Sequence, residues 1–476
     1  MSQRAPRVVI AGLSGDAGKT LVSVGLLLAA RARSLPVAAF KKGPDYIDAL
    51  WLSWASGRPA RNLDTCLMGT DGALAAFAEH RVEDGLNVVE GNRGLLDGVD
   101  AAGTHSTAAL ARGLDAPIVL VVDATKVTRT VAAAVRGCQI LEPDAAIAGV
   151  ILNRVAGPRH VRICREAIES ICGVPVLGAV ARAGDSGPLP GRHLGLVPPE
   201  ECDRTGARAA EVTRMIHDQV DMDALLRIAA AARPLPSRHD TGLARSLSQP
   251  GSTPLPCGAA DGRGLSIGVV RDAAFSFYYP ENLEALEAAG SRLVFVSALA
   301  GTELPQGLHA LYIGGGFPET HAPLIAANAG FLTSLRGAAH SGLPIFAECG
   351  GLMLLASAIR WRGSRAPMAG VLPFEVEVHD RPRGHGYARL RVDRPNAFFP
   401  EDTVLDGHQF HYSWPVGWDG TAEAACAVER GTGAFDGRDA VIVGRVWASY
   451  THLHARATPA WTDAMVRAAR SRKVQA

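Results

Sequence analysis

The glycine-rich stretch GLSGDAGKT runs from Gly12 to Thr20 and follows the apolar run RVVIAG. A phosphate-binding loop has the pattern GxxxxGK[ST], and this stretch carries one additional residue between Gly12 and Gly18. The extra residue leaves the chemistry intact, because glycines let backbone N–H groups curl around an anion and the helix that follows adds its positive N-terminus. The stretch therefore predicts a nucleotide-phosphate site, with a glycine turn and an incidental Lys-Thr pair as the alternative.

Four residues of this loop are predicted to contact ATP. Gly15 and Gly18 would let the backbone approach the phosphates, Lys19 would reach the terminal phosphates, and the Thr20 hydroxyl would ligate Mg²⁺. Asn153 ends the later apolar run AIAGVILN and could read the adenine edge through paired hydrogen bonds. An asparagine at such a place is often only a turn residue, which is the alternative.

A Mg²⁺ site also needs carboxylates at neighbouring strand ends. Glu90 ends the apolar run LNVVE, and glycines in the EGNRGLLDG stretch permit close backbone approach. Asp45 and Asp48 follow another apolar run and could hold a second metal or steer an anionic substrate. The predicted metal ligands are Thr20, Asp45 and Glu90. Asp123 is a further strand-end candidate. A solvated strand-end acid is the alternative for Glu90 and Asp123, and a charged turn is the alternative for the segment with Asp45 and Asp48.

A second kind of chemistry is indicated by Cys349 in the stretch LPIFAECGGLMLL. An apolar strand runs into Glu348-Cys349-Gly350-Gly351 and then into a helical apolar stretch, which is the strand–turn–helix arrangement of a nucleophile elbow. A helix N-terminus favours the thiolate form of a cysteine. Taken alone, a buried structural cysteine before a Gly-Gly turn is an equally good interpretation.

A histidine and a glycine segment favour the nucleophile. His452 follows the apolar run GRVWASY, and a cysteine nucleophile needs a base that the fold brings close. The glycines after the run ALYI could offer backbone N–H groups to an oxyanion, so Gly315 and Gly316 are the predicted oxyanion residues. His454, two residues after His452, could be structural or could orient it.

Alternating strands and helices must position these residues. The first half alternates helix-length segments with apolar runs such as RVVIAG, PVAAF and PIVLVVD, which predicts a doubly wound parallel α/β sheet with ligands at the carboxyl ends of its strands. The alternation restarts with LSIGVV, RLVFVS and LPIFAECGG. The sequence thus predicts domains at residues 1–232 and 265–476, joined by a flexible linker at residues 233–264 that is rich in Pro, Gly and Ser.

The composition of the 476-residue chain excludes several classes of function. A net charge of +1 without a basic block argues against a nucleic-acid partner. No apolar run reaches the roughly 18–20 residues that span a bilayer, and no signal-peptide cleavage site precedes the glycine loop, so we expect a cytoplasmic protein without a membrane partner. The eight scattered cysteines form no CxxC pair and indicate neither a zinc site nor a disulfide framework.

Six ordered motifs resemble those of the cobyrinate a,c-diamide synthase family, the glutamine-dependent amidoligases of tetrapyrrole biosynthesis. The motifs are FKKGPDYID, GRPARNLD, EGNRGLLDG, GGFPE, AECGGLMLL and DGHQFHYS, and the resemblance covers nearly the whole chain apart from the linker. The N-terminal domain of that family is similar to dethiobiotin synthetase, whose phosphate loop carries the same additional residue. The resemblance implies a P-loop domain of that kind, followed by a class I glutamine amidotransferase domain of the cobyric acid synthase type.

The resemblance also implies a mechanism. Cys349 would attack the side-chain amide of L-glutamine to form a thioester and release ammonia, with His452 as base and acid. This subgroup lacks the usual third acidic residue, and His454 stands at that position. The N-terminal domain would bind Mg·ATP, and a substrate carboxylate would attack the γ-phosphate to give an acyl phosphate, from which ammonia would displace phosphate. Lys19, Mg²⁺ and the loop N–H groups would meet the developing charge.

The substrate implied by the resemblance is a tetrapyrrole polycarboxylate. The residues predicted to contact it are Lys42, Tyr46, Ile47, Asp48 and Asp97. The vitamin B12 enzymes commonly have FKVGPDYIDP and EGVMGLFDG, so Lys42, Asn92 and Arg93 add charge or polarity here. This resembles the branch associated with dissimilatory sulfite reductase and favours a sirohaem or sirohydrochlorin type of substrate over cobyrinate.

Two other classes of protein share part of this pattern. A ParA/MinD-like switch ATPase, with a second domain that only mediates interactions, would use a similar loop. Such ATPases carry a signature lysine where this chain has Leu13 and Ser14, and they have no need of Cys349 and His452 together. Cobyric acid synthase shares the architecture, but the segments GPDYID and NLD argue against it. The sequence leaves a homodimer open.

Overall fold

Two units make up the chain, Met1–Thr253 and Pro254–Ala476, and each contains its own central sheet. The computed structural model describes residues 5–182, 188–192, 195–202, 205–234, 260–418 and 420–473. Most of the predicted linker, residues 233–264, lies outside the described residues. Its boundaries, and those of the domains predicted on either side, therefore stay a prediction.

Parallel strands form the main sheet of the N-terminal unit, as its short apolar runs predict. The described strands of this unit are β1 (Arg7–Gly12), β2 (Val37–Lys42), β3 (Arg61–Leu63), β4 (Leu86–Glu90), β5 (Ile118–Asp123), β6 (Ile147–Val155), β7 (Val176–Ala181), β8 (Gly191–Arg192) and β9 (Gly195–Leu196). The sheet order is β3-β2-β4-β1-β5-β6-β7 with every pair parallel, while β8 and β9 form a separate antiparallel pair.

Helices cover both faces of this sheet. The described helices of the unit are α1 (Lys19–Ala32), α2 (Ile47–Ser56), α3 (Gly69–His80), α4 (Thr107–Gly113), α5 (Thr130–Leu141), α6 (Pro158–Cys172), α7 (Thr205–Gln219) and α8 (Met222–Ala230). Apolar residues of α3 to α6 form one core with alternate residues of the strands. In addition, α1 packs with α2 and α7, and α8 packs on β1, β4 and β7. The doubly wound parallel sheet predicted from the sequence is therefore confirmed.

Uniform strand direction brings the chemically distinctive residues to one edge of the sheet. In the ladder of β2 and β4, Lys41 lies opposite Glu90. In the ladder of β5 and β6, Asp123 lies opposite Asn153. The glycine loop begins where β1 ends, at Gly12, between those two ladders. This is the edge at which parallel α/β sheets bind ligands.

The C-terminal unit combines a parallel half with an antiparallel half. Its described strands are β10 (Ser266–Val270), β11 (Arg292–Val296), β12 (Ala310–Ile313), β13 (Ile345–Glu348), β14 (Ala358–Trp361), β15 (Ser364–Pro367), β16 (Glu375–Val378), β17 (Gly384–Val392), β18 (Val404–His411), β19 (Ser413–Val416), β20 (Glu423–Arg430), β21 (Arg438–Val443), β22 (Val446–Ser449) and β23 (His452–Leu453). Its described helices are α9 (Pro280–Ala288), α10 (Ala322–Ala327), α11 (Ala329–His340), α12 (Gly350–Leu355) and α13 (Ala460–Lys473).

The larger sheet of this unit has the order β11-β10-β12-β13-β22-β21-β20-β17-β18-β23, and the smaller one β15-β14-β16-β19. The strands from β11 to β22 pair in parallel and the rest of the larger sheet is antiparallel. The α/β class predicted for this half is confirmed, but its antiparallel strands were not anticipated. They matter for the site, because β18 carries β23 and with it His452.

No helix in the described ranges is long and apolar enough to cross a membrane.

Candidate active site

The glycine loop of the N-terminal unit is closed by a contact that only glycine permits. Gly18 has φ 93° immediately before α1, and a Cβ there would lie 2.0 Å from Nδ2 of Asn153. The same Nδ2 donates a 2.8 Å hydrogen bond to the Ala17 carbonyl, while Oδ1 of Asn153 accepts one of 2.9 Å from the Arg154 N–H. Asn153 thus holds the loop to the end of β6, and its predicted contact with adenine stays a prediction.

The electrostatics of this loop suit an anion. Lys19 begins α1, and its Nζ donates a 2.9 Å hydrogen bond across the loop to the Ser14 carbonyl. Burial lowers the pKa of Lys19, and the nearby charge of Lys41 lowers it further. A phosphate in the loop would counter both effects. Gly15 lies at the exposed tip, where an added Cβ would meet no atom within 4 Å, so its predicted role also stays a prediction.

A buried lysine joins the strand ends beside the loop. Lys41 Nζ lies 2.5 Å from Asp48 Oδ2, 2.8 Å from Glu90 Oε1 and 3.1 Å from the Gly91 carbonyl oxygen. An ammonium group has three N–H donors, and these contacts use all three. The Lys41 side chain is 1% exposed and that of Glu90 is 0% exposed. The charges therefore compensate one another away from water, as buried ions must.

The Thr20 hydroxyl completes this group, which we name the strand-end cluster: Thr20, Lys41, Asp48 and Glu90. Thr20 Oγ1 lies 2.9 Å from Glu90 Oε1 and 3.1 Å from Asp48 Oδ1, and its single proton can be donated to either. The cluster links the first turn of α1 to β2, β4 and α2. It therefore fixes the loop, the strand ends and the following helix relative to one another.

Burial and charge set the protonation of the acids here. Burial and then the charge of Asp48 raise the pKa of Asp45 to about 7. Burial raises the pKa of Glu90, although Lys41 partly offsets this. Burial acts on Asp48 in the same direction, but Lys41 and Thr20 outweigh it, so the pKa of Asp48 lies below its ordinary value. Near neutral pH the site thus holds an anionic Asp48 beside an Asp45 that is close to its own titration.

The predicted metal ligands lie at this edge of the sheet in an arrangement that the sequence did not specify. Thr20 and Glu90 are in contact, but the second carboxylate at the Thr20 hydroxyl is that of Asp48. Asp45 instead accepts a 2.7 Å hydrogen bond from the Asp48 N–H. Asp123 pairs with Arg154, at 2.6 Å. Across the described parts of the chain, no three His, Cys, Asp or Glu side chains form a ready-made cation site.

Lys42, a predicted substrate residue, is largely buried next to the strand-end cluster. Lys42 is 7% exposed. Burial lowers the pKa of Lys42, the Asp64 carboxylate raises it, and the charges of Lys41 and Arg93 lower it. Arg93, in the EGNRGLLDG stretch, is exposed. The two cations that distinguish this chain from the B12-type motifs therefore act on one another electrostatically.

The other predicted substrate residues have structural contacts of their own. Tyr46 is half-buried immediately before α2, and Ile47 is 7% exposed. Asp97 accepts a 2.8 Å hydrogen bond from the Gly94 N–H, which closes the turn after β4. Packing explains Ile47 and turn formation explains Asp97, so their contacts with substrate stay predictions.

In the C-terminal unit, Cys349 lies in the sharp turn between β13 and α12. Its backbone has φ 49° and ψ −100°, and such a conformation costs a non-glycine residue about 1–3 kcal/mol. A Cβ on Gly350 would lie 2.9 Å from the Gly316 nitrogen, and one on Gly351 would lie 2.5 Å from the Ile313 carbonyl oxygen. This strained turn, closely packed against neighbouring backbone, has the features of a nucleophile elbow.

His452 reaches Cys349 from β23. The His452 side chain is 2% exposed and lies close enough to the side chain of Cys349 for the two to interact electrostatically. Burial alone would lower the pKa of His452, but the contacts with Cys349 and Glu348 outweigh it and raise the pKa to about 10. A protonated imidazole beside the sulfur favours the thiolate. The structure thus brings the predicted nucleophile and the predicted base together.

The predicted oxyanion glycines pack against His452 and against Gly350, the residue after Cys349. A Cβ on Gly315 would lie 2.6 Å from Cε1 of His452. The Gly316 nitrogen lies next to Gly350, whose own N–H is the donor that an elbow supplies directly after its nucleophile. The Gly314 N–H donates a 2.8 Å hydrogen bond to the hydroxyl of Tyr278. The location suits an oxyanion site, and the role of Gly315 and Gly316 in one stays a prediction.

His454 contacts groups other than His452. Its Nε2 lies 3.7 Å from Glu281 Oε2, and its Nδ1 accepts a 3.1 Å hydrogen bond from the Arg456 N–H. Its ring centroid lies 4.5 Å from that of Tyr279. Both ring nitrogens are therefore engaged away from the nucleophile, which favours the structural interpretation of this histidine.

Two residues of the sites were not selected from the sequence. Lys41 stands out in the sequence only as one of two adjacent lysines. Side chains alternate between the two faces of a strand, so Lys41 and Lys42 were expected to point to opposite faces. The structure places Lys41 opposite Glu90 in the ladder of β2 and β4. Glu348 was visible as a charged residue at the end of an apolar strand. It lies 3.6 Å from His452, a long-range contact that the sequence pattern does not encode.

Family models match both halves of the chain. Residues 8–196 match the CobQ/CobB/MinD/ParA nucleotide binding domain, and residues 266–460 match the CobB/CobQ-like glutamine amidotransferase domain. Fold and site together thus define a nucleotide-binding domain joined to a glutamine amidotransferase domain. A solved glutamine amidotransferase aligns with 43% of this chain and 98% of its own at 24% identity, but its TM-score of 0.33 is too low to support an inference about the site.

Full-length relatives define the family. Proteins named cobyrinate a,c-diamide synthase are 40% identical in Magnetococcus marinus, covering 99% of both chains, and 39% identical in Syntrophotalea carbinolica, covering 97% of this chain and 98% of that one. One from Archaeoglobus fulgidus is 36% identical over 94% of each chain. The chain belongs to the cobyrinate a,c-diamide synthase family. It is an enzyme of the carbon–nitrogen ligase class with glutamine as amide donor.

Replacing Lys41 with methionine should lower the free energy of unfolding of the N-terminal unit by about 3 kcal/mol or more, because the buried Glu90 carboxylate and the partly buried Asp48 carboxylate would lose their counter-ion. Chemical denaturation at pH 7 measures this loss. The double variant Lys41→Met/Glu90→Gln should regain part of it, because one of the stranded charges is removed as well. Strictly additive losses from the two substitutions would contradict the assignment of the cluster as an ion-paired unit.

Replacing Gly315 with alanine should slow glutamine hydrolysis by about 100-fold, because the new Cβ would push the His452 ring out of line with the sulfur. Glutamate release measures the effect. Gly337→Ala is the matched control in the same unit, since a Cβ there meets no atom within 4 Å. An unchanged rate in Gly315→Ala would show that the ring has room to move without consequence.

Proposed function

We propose that this enzyme converts the a and c acetate side chains of a tetrapyrrole into carboxamides, using ATP and the amide nitrogen of glutamine. The observation that carries the proposal is the pairing of Cys349, in its strained elbow, with the buried His452. A thiol–imidazole pair of this kind releases ammonia from glutamine. The same chain carries a phosphate loop whose Lys19 and Thr20 can serve ATP.

Glutamine hydrolysis would proceed in two halves. The Cys349 thiolate attacks the side-chain carbonyl carbon of glutamine, and the carbonyl oxygen becomes an oxyanion beside the Gly316 and Gly350 N–H groups. When the intermediate collapses, the C–N bond breaks and His452 gives its proton to the leaving ammonia. A water molecule then attacks the thioester, His452 accepts a proton from that water, and glutamate leaves as the C–S bond breaks. The proton on His452 restores the imidazolium–thiolate pair.

The N-terminal unit would activate the acid that receives this ammonia. A carboxylate is a poor acyl donor, so the proposal includes attack of a substrate carboxylate oxygen on the γ-phosphate, with ADP as the leaving group and an acyl phosphate as product. Ammonia then adds to the acyl carbon, the C–O bond to phosphate breaks, and one ammonia proton is lost. Lys19 and the loop N–H groups are positioned to compensate charge on the transferred phosphoryl group.

We also propose that the enzyme binds Mg²⁺, because the residues of the strand-end cluster suit this ion. Mg²⁺ in nucleotide sites takes one or two carboxylates, a loop hydroxyl and phosphate oxygens. Thr20, Asp48 and Glu90 supply such oxygens, and Glu90 Oε2 is buried without a hydrogen bond from the described residues. When bound, Mg²⁺ would supply charge compensation for the phosphates of ATP. Lys41 and the Thr20 hydroxyl would keep both carboxylates oriented.

The family suggests the class of substrate, a tetrapyrrole, and the charges near the site bear on which tetrapyrrole it is. The similar proteins are named cobyrinate a,c-diamide synthase, which supports cobyrinate as the first candidate. The electrostatic coupling of buried Lys42 with exposed Arg93 supports a second candidate of the sirohaem or sirohydrochlorin type, because added cations suit a macrocycle that presents further carboxylates. We further propose that the enzyme is cytoplasmic, and its oligomeric state is not part of the proposal.

Replacing Cys349 with alanine should lower glutamine-dependent amidation by about 1,000-fold or more, because the nucleophile is lost. Amidation with an ammonium salt should persist, since it needs only the N-terminal unit. Mass spectrometry of cobyrinate, sirohydrochlorin and sirohaem, each incubated with ATP and either nitrogen source, measures both activities and identifies the substrate.

Lys19→Met is the control for this experiment, because it should abolish amidation from both nitrogen sources. Amide formation on none of the three macrocycles would refute the proposed substrate class. ATP hydrolysis without any release of glutamate from glutamine would favour the switch-ATPase alternative.

A further inference from the structure

A carboxylate without an assigned role lies beside the base of the glutamine site. Glu348 Oε2 is 3.6 Å from His452 Nδ1, and the side chains are 0% and 2% exposed. This separation is that of an ion pair and exceeds that of a formed hydrogen bond. Catalytic hydrogen bonds are often long before substrate binds and tighten in the complex.

We propose that Glu348 is a positioning residue for His452. It holds the imidazole with Nδ1 toward the carboxylate and Nε2 toward the sulfur of Cys349, and it stabilises the imidazolium that accompanies the thiolate. The inference goes beyond the proposed function and rests on one part of it, the reaction of Cys349 and His452 with glutamine.

Glu348 is itself held firmly, as a group that orients another must be. Its Oε1 accepts a 2.9 Å hydrogen bond from the Leu453 N–H, in the strand that carries His452. Its Oε2 accepts one of 2.9 Å from the Tyr312 hydroxyl. Asn282 Nδ2 donates to that hydroxyl, at 3.3 Å, and to the Leu453 carbonyl, at 2.8 Å. The carboxylate and the backbone of β23 are therefore braced by one buried network.

Glu348 is an acid that pairs with His452, with Oε2 at 3.6 Å from Nδ1. His454, two residues further along the chain, pairs with a different acid, Glu281. The acid beside the base is therefore the residue directly before the nucleophile in the chain. Its negative charge lies next to Nδ1 of the ring, which is where an orienting carboxylate acts in a nucleophile–base–acid arrangement.

The substitution Glu348→Gln separates positioning by charge from mere structural support. The glutamine carbonyl can still accept the Leu453 N–H. The amide N–H takes the place of Oε2, so the contact with Tyr312 is kept only if the hydroxyl oxygen accepts there. The shape of the side chain is preserved, while the charge is removed. We expect the pH midpoint for alkylation of Cys349 by iodoacetamide to rise by about one unit or more, because the imidazolium that favours the thiolate loses its partner. The kcat of glutamine hydrolysis should fall about tenfold or more, with a smaller change in KM.

The alkylation profile reports on the Cys349–His452 pair. Besides Cys349 and Glu348, His408 and His411 of β18 act electrostatically on His452. Burial lowers the pKa of His408 to about 3 and that of His411 to about 4. Both histidines therefore stay neutral between about pH 6 and 9, the range of the measurement. Mass spectrometry of the peptide that contains Cys349 follows this thiol separately from the other cysteines.

Glu281→Gln is the matched control, since it removes an equally buried carboxylate from the neighbouring histidine, at 3.7 Å from His454. All measurements use the full-length chain. A midpoint shift in Glu348→Gln that is absent in Glu281→Gln supports the proposal. A Glu348→Gln profile that coincides with the wild type, or an equal shift in both variants, overturns it.

If Glu348→Gln fails to fold, Glu348→Asp keeps the charge but withdraws it by one methylene, so it should raise the midpoint by a smaller amount, and an unshifted profile would overturn the proposal. If the wild-type protein releases no glutamate from glutamine, the proposed function fails. The alkylation profiles still decide the role of Glu348 in that case, because they need no glutamine.

Discussion

The compensation of one buried ammonium by two carboxylates is the interaction on which the N-terminal site depends. Lys41 has 1% of its side chain exposed and uses every N–H donor on Asp48, Glu90 and Gly91. Without that cation, Asp48 and Glu90 would repel each other across the strand ends. With it, the first turn of α1, the ends of β2 and β4 and the start of α2 share one charge network. The phosphate loop is thus anchored to the residues that would handle the substrate acid.

Close approach of backbone is the corresponding constraint in the C-terminal unit. The elbow at Cys349 is packed so tightly against the glycine segment that side chains at Gly315, Gly350 or Gly351 would collide with His452 or with backbone atoms. The strained φ of 49° at Cys349 persists because these contacts determine the turn from all sides. The strain has a use, since it presents the sulfur at the N-terminus of α12, where the imidazole of His452 can reach it. The tight turn at Cys349 therefore both packs against the glycine segment and brings the sulfur to the imidazole of His452.

Local patterns predicted the parallel sheet, the loop and the elbow, because each depends on residues that are neighbours in the chain. The runs that end in Gly12, Glu90 and Asn153 do end at one edge of the sheet. The roles within that edge were harder to assign. Asp45 and Asp48 have similar sequence surroundings, and only the start of α2 turns Asp48 toward Thr20 while Asp45 accepts the Asp48 N–H. Such choices depend on helix phase and on contacts distant in sequence, which no periodicity encodes.

Glu348 shows why a residue adjacent to a nucleophile can still be missed. The side chains of consecutive strand residues point to opposite faces of the sheet. The alternation therefore predicts that Glu348 and Cys349 contact different parts of the protein. The strand ends at Glu348, however, and the left-handed conformation at Cys349 breaks the alternation. Cys349 and Glu348 therefore both interact with the imidazole of His452, although they are consecutive in the chain. The strain that exposes the nucleophile is thus also what lets two consecutive residues act on one histidine.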